Sequence, residues 1–180
     1  MSYQLNSAKT MILQTGWLKP TKEQVKIAKS VGDSSFTSCL NQDKFSAFSQ
    51  DLIPTPSAVN DSWDNYIRTL IFLKMKNVEP HTDPYVGNVE LEEHDVFASL
   101  FWVLDARKPL HLQVGPHSAS LKAGSWVLFA DTVTHSVISD ATWVGCATQV
   151  LVKIPFDLGK SVGVLSDLSQ EKIRIPEEQH

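Results

Sequence analysis

Cysteine is scarce in this chain: Cys39 and Cys146 stand far apart and in no CxxC pattern. Neither a disulfide framework nor a zinc-thiolate site is indicated, and both thiols are expected to be reduced. Long apolar runs are missing as well. No stretch approaches the ~20 apolar residues of a membrane span, and residues 1–10 lack the basic segment followed by an apolar run that marks a secretory leader. The expectation is a cytoplasmic protein with no membrane partner. Positive charge is not in excess either, with 16 Lys and Arg against 20 Asp and Glu, a net charge of −4 and a pI near 5.8. A protein that grips nucleic acid through bulk electrostatics would carry the opposite balance, so there is no strong nucleic-acid signature. No internal repeat or low-complexity segment interrupts the chain.

What is present fits one domain over residues 1–180, 42% hydrophobic and 20% charged, long enough to bury a core of its own. Residues 1–65 read as a helical and irregular N-terminal support. Met11, Ile12, Leu13, Trp17 and Leu18 suggest an edge strand or a packed arm. Thr21 can cap a helix over Lys22 to Ser30, with Glu23 and Gln24 in the first turn and Gly32 closing it. Residues 43–52 carry Phe45, Phe48 and Leu52 at helical spacing, and Pro54 and Pro56 stop that run. Core packing is the favoured reading of these aromatics.

The texture changes at Tyr66. Residues 66–75 alternate, with Ile67, Thr69, Ile71, Leu73 and Met75 on one face and Arg68, Lys74 and Lys76 on the other. The spacing predicts a long strand running straight into His81. Further β runs follow at 96–104, 110–114, 126–130 and 143–154, separated by turn signals at 105–109 and at Ala123-Gly124. Short strands at this frequency with no helical pattern between them predict a mainly β jelly roll rather than a parallel α/β sheet. The core therefore spans 66–154. Residues 155–180 read as a C-terminal wrap. The acidic run 87–95 reads as a solvated loop.

Within that core, Pro80-His81-Thr82-Asp83-Pro84 is the stretch with chemistry in it. At a strand end, period-two geometry sends His81 and Asp83 to one face and Thr82 to the other. His135, from a distant strand, would complete two imidazoles and one carboxylate, a facial set that leaves positions open on an octahedral metal, as in non-heme Fe(II) oxygenases. Asp131, Thr132 and Thr134 are local acceptors for the other ring N–H of His135. Phe101, Trp102, Trp126 and Phe129 could line the cavity, although aromatics on strands are more often core filler.

The succession Pro80-His81-Thr82-Asp83, Ser99-Leu100-Phe101-Trp102-Val103-Leu104, Lys108-Pro109-Leu110-His111-Leu112, Ala123-Gly124-Ser125-Trp126-Val127-Leu128-Phe129-Ala130 and His135-Ser136-Val137 resembles the double-stranded β-helix core of the Fe(II)- and 2-oxoglutarate-dependent dioxygenases. Prolyl-hydroxylase-like members are nearest in layout, and the likeness covers about residues 66–154. The resemblance implies Fe(II) held by His81, Asp83 and His135, 2-oxoglutarate as co-substrate and O2 as oxidant. It also implies hydroxylation of a substrate the sequence does not identify, whether protein side chain, nucleobase or small molecule.

One departure stands out. The family places an Arg or Lys on the strand after the distal histidine to pair with the far carboxylate of 2-oxoglutarate, and residues 143–147 hold none. If 139–142 form a tight turn, His135 faces Cys146, and Lys153 lies about 23 Å further along an extended strand. Lys153 is the first candidate co-substrate residue because it lies on that strand; Arg68, Lys74 or Lys76, before the metal motif, are the substitutes. Two alternatives to the oxygenase remain: a cupin-like metal enzyme that does not use 2-oxoglutarate, and a non-catalytic jelly-roll binding protein. Among the other histidines, His111 reads as structural, His94 as solvated, His117 as a turn residue and His180 as terminal.

Overall fold

The computed structural model describes residues 12–30, 43–48, 52–56, 70–83, 95–130 and 132–153. Among the described residues nine strands form two sheets: β1 (Ile12–Trp17), β2 (Leu70–Met75), β3 (Val78–His81), β4 (Asp95–Ala106), β5 (Leu110–Val114), β6 (His117–Leu121), β7 (Ser125–Ala130), β8 (His135–Ile138) and β9 (Trp143–Lys153). One sheet runs β1-β7-β4-β9-β2 and the other β3-β8-β5-β6. The antiparallel partners are nested, β2 with β9, β3 with β8, β4 with β7 and β5 with β6. Such nesting is one long hairpin ribbon wound on itself, and the lateral pairs β4 with β9 and β5 with β8 close its turns. The fold is the expected jelly roll, or double-stranded β-helix. The β1 segment adds an edge strand beside β7, in line with the arm expected there.

Alternation along the strands explains how two cores arise from one sheet. On β4, Phe101 and Val103 face the four-stranded sheet and pack with Leu112, Val127 and Phe129. Leu100, Trp102 and Leu104 face the other way and meet Phe48, Phe72, Trp126 and Cys146 beneath helix α1 (Lys22–Ser30). The five-stranded sheet is therefore apolar on both faces, as β7, buried at all six positions, shows most plainly. Cys146 is on the helix side, and burial pushes its thiol pKa far up, so it stays neutral and apart from the histidines. Cys39 lies outside the described residues.

Helix α1 has the expected bounds, and its anchor is Gln24. Thr21 Oγ1 accepts from the Gln24 N–H at 3.1 Å and Gln24 Oε1 accepts from the Thr21 N–H at 2.8 Å, a reciprocal capping box. The same amide donates to the carbonyls of Ala47 and Leu52 at 2.7 and 2.8 Å. Gln24 thus ties α1 to the segment that follows while 1% exposed. Gln24→Ala would leave two carbonyls without that donor and remove half the cap. It is expected to lower stability by about 2–3 kcal/mol, read as a shift of the urea midpoint at unchanged slope.

The structure corrects four expectations. Residues 43–48 form a 3₁₀ helix rather than the start of an α-helix reaching 52, and Leu52 is 47% exposed instead of sharing a face with the buried Phe48. The strand leading to His81 is broken at residues 76 and 77: β2 belongs to the five-stranded sheet and β3 to the other. His117 opens strand β6, opposite Val114, after a turn made by Gly115 at φ 52° and Pro116. Strands β8 and β9 form no hairpin, since β8 pairs β3 and β5 while β9 pairs β2 and β4, so His135 does not face Cys146. Residues 84–94 and 154–180 lie outside the described residues, and with them the acidic loop and the C-terminal wrap. Among the described residues no helix is long and apolar enough to cross a membrane.

Candidate metal centre

The site is built where β3 ends beside the start of β8. Register pairs His81 with His135 directly across the two strands, and their ring centroids lie 4.3 Å apart. Pro80 falls within an irregularity of this ladder between Val78 and His81. It is tolerated because β3 is an edge strand, where a missing N–H costs no partner strand a bond. Asp83 follows two residues on, and the exposed Thr82 lies between the two.

Both histidines are fixed in the same way. His81 Nδ1 lies 2.8 Å from the Glu79 carbonyl and His135 Nδ1 lies 2.8 Å from the Val133 carbonyl, in each case the residue two places upstream. Each ring donates its Nδ1–H there, which makes Nε2 the lone-pair nitrogen of the neutral ring. Nε2 of His81 then stands 3.5 Å from Asp83 Oδ1, and Nε2 of His135 3.4 Å from Asp83 Oδ2. Lone pairs facing a carboxylate repel unless a cation, proton or metal, sits between them. A charge-assisted N–H···O contact closes to about 2.7–2.9 Å. Two donors each ~2.1 Å from one ion and roughly 90–110° apart stand about 3.0–3.4 Å from each other, close to the separations seen.

Across all three residues the ligand atoms lie within 4.8 Å of one another. The acceptor for His135 is thus the Val133 carbonyl rather than Thr132 or Thr134; Asp131 lies outside the described residues. His135 is 6% exposed, with Phe129 edge-on to its ring at 4.8 Å, whereas the side chains of His81 and Asp83 are 40% and 36% exposed. The group is open on one side.

Where a proton rather than a metal ion lies between them, the hydrogen bond from His135 lowers the pKa of the Asp83 carboxyl from its ordinary value. Partial burial opposes that shift, and the charges of His135 and His81 add to it. A depressed carboxyl contributes stability that is present above its unfolded value near pH 4 and lost as pH falls through the lower folded value. At neutral pH Asp83 is an anionic donor.

Beside the cluster lies a cavity of about 170 Å³ lined by Ile71, Leu73, Met75, Val78, Ser99, Phe101, Leu112, Phe129, Val137 and Ala147 together with the three polar residues. Phe101 and Phe129 line it as expected; Trp102 and Trp126 do not, because they sit on the helix side of the sheet. His111 points outward on β5. Of the two first candidates for co-substrate binding, only the backbone position of Lys153 is described. Lys153 is the last residue of β9, opposite Asp95 and six residues beyond the cavity-lining Ala147, about 20 Å along the strand. Arg68 lies outside the described residues. Lys74 shares its face of β2 with Leu70 and Phe72, which belong to the helix-side core.

Fold and cluster together define a double-stranded β-helix with a His/Asp/His group, able to hold one metal ion, at the mouth of an apolar cavity. No family model matches the chain and no curated protein matches it. Among solved structures it is similar to a salicylate 1,2-dioxygenase from Pseudoaminobacter salicylatoxidans, at 9% identity and TM-score 0.34 over 46% of this chain and 20% of that one. A cupin-2 domain protein from Shewanella frigidimarina aligns at 17% identity and TM-score 0.34, covering 60% of this chain and 89% of the other. A DMSP lyase from Ruegeria pomeroyi aligns at 10% and 0.34, covering 80% and 79%. The chain spans about a fifth of the length of the salicylate dioxygenase. Likenesses this distant add nothing to the strand order already described.

Proposed function

We propose that the chain is a mononuclear non-heme metal enzyme, an oxygenase in which His81, Asp83 and His135 hold one Fe(II). The observation that carries this reading is the matched pair of histidines, each tied by Nδ1 to the carbonyl two residues upstream and each turning Nε2 toward Asp83. Two neutral imidazoles and one carboxylate suit Fe(II) and leave it a net charge of +1. Bound there, Fe(II) would supply a redox-active centre with open positions for dioxygen and for a chelating organic ligand.

The protein's own contribution is positional. The Glu79 and Val133 carbonyls fix the tautomer in which Nε2 is unprotonated. Asp83, kept ionised by its neighbours, supplies the negative charge. Phe101, Phe129, Leu73 and Met75 exclude water from the space where an organic substrate would lie. Two forms of oxygenase chemistry differ in the source of electrons. In the 2-oxoglutarate-dependent form, favoured by the order His-x-Asp then His along the chain, the keto acid gives two and the substrate C–H bond gives two. In the cupin-like form the chelated substrate gives all four.

Full-length protein loaded with Fe(II) under argon, desalted and then exposed to O2 tests the reading. One iron per chain is expected, with iron near background in His81→Ala. Background iron in both would leave a non-catalytic jelly roll.

A further inference from the structure

The cavity is chemically one-sided. Among the described lining residues its polar groups are the three metal-binding side chains and one hydroxyl, Ser99, which is 4% exposed on β4. The other described lining residues are aliphatic or aromatic, and no lysine or arginine is among them. A volume of about 170 Å³ is somewhat more than an apolar cavity that accepts benzene, which sets the scale at about six to ten non-hydrogen atoms.

A ligand that chelates the metal places its polar end against His81, Asp83 and His135 and the rest of itself against Leu73, Phe101 and Leu112. A second carboxylate at the far end would lose its hydration with one hydroxyl to meet it, and burying an unpaired carboxylate costs far more than a single hydrogen bond returns. An apolar tail instead gains about fourfold in affinity per buried methylene.

We infer that the site takes a small ligand with one chelating polar end and an apolar body, and that it discriminates against dicarboxylates, 2-oxoglutarate included. This specificity rests on the metal reading above. It favours the form of the chemistry in which no five-carbon diacid takes part.

Two keto acids with the same chelating head separate the cases: 4-methyl-2-oxopentanoate, with a branched hydrocarbon tail, and 2-oxoglutarate. Each is titrated anaerobically into the Fe(II)-loaded full chain while the visible charge-transfer band of the chelate is followed, with iron measured on the same sample. Half-saturation by the branched acid is expected at a concentration at least ~30-fold lower than for 2-oxoglutarate. Leu73→Arg, which adds a cation to the wall, is expected to shrink that ratio at least tenfold at unchanged iron content. Iron-loaded protein that binds the two alike, prefers 2-oxoglutarate, or binds neither below 10 mM overturns the inference and leaves the metal site standing. A chain that holds no iron overturns both.

Discussion

His135→Ala is expected to weaken Fe(II), or its spectroscopic surrogate Co(II), by on the order of a thousandfold or more. Loss of an outer-shell partner at a metal site already costs about 10–100-fold, and His135 is the donor that the structure has committed most fully. It is buried, tied to the Val133 carbonyl, flanked by Phe129 and set opposite His81 by strand register. Removing it leaves one imidazole and one carboxylate, both part-exposed and able to be satisfied by water. Competition against a chelator of known affinity measures the loss. Thr82→Ala is the control: Thr82 is exposed between the two ligands of the first motif, and its replacement is expected to change affinity by no more than about twofold.

Trp102→Ala is expected to have the largest effect on stability. Trp102 is 1% exposed, opposes Trp126 on β7 and Cys146 on β9, and donates its ring N–H to the Leu18 carbonyl at 3.1 Å. It joins the middle of the five-stranded sheet to the segment leading into α1. Truncation removes an indole from a packed core, at about 3–5 kcal/mol, and leaves the Leu18 carbonyl without this donor. Against a typical total of about 5–15 kcal/mol, that brings the fold to its margin. The urea midpoint should fall steeply. Trp102→Phe, which keeps most of the volume and loses the hydrogen bond, should recover more than half of the deficit.

The parts of this structure legible in the sequence follow from local periodicity. Apolar and aromatic runs bounded by turn signals located β4, β5, β7 and β9 to within a residue or two, and the two-residue spacing of His81 and Asp83 put both on one side of a strand end. Partner choice is a tertiary matter, and there the reading fell short. Nothing local reports that the run into His81 stops at Asn77, whose side chain accepts from the Ser139 N–H at 3.1 Å, or that β8 leaves for a different sheet from β9. β6 was missed because His117-Ser118-Ala119-Ser120-Leu121 alternates small and polar residues with little apolar contrast.

The sides taken by Trp102 and Trp126 were not readable either, since a sheet buried on both faces gives no polar face to mark the outside. At the site, residue identity named the three donors. What orients the two histidines is a pair of backbone carbonyls, and a backbone acceptor has no side-chain signature.

The central claim is that Nε2 of His81, Nε2 of His135 and the Asp83 carboxylate meet at one cation. Imidazole ¹⁵N NMR of histidine-labelled full-length protein, titrated with diamagnetic Zn(II) as a stand-in for Fe(II), tests it at the atoms concerned. The prediction is that two of the six histidines, assigned by the loss of their signals in His81→Gln and His135→Gln, shift at Nε2 and keep Nδ1 protonated, saturating at one zinc per chain. Zinc that leaves both rings unchanged, or that binds through Nδ1, would contradict the account.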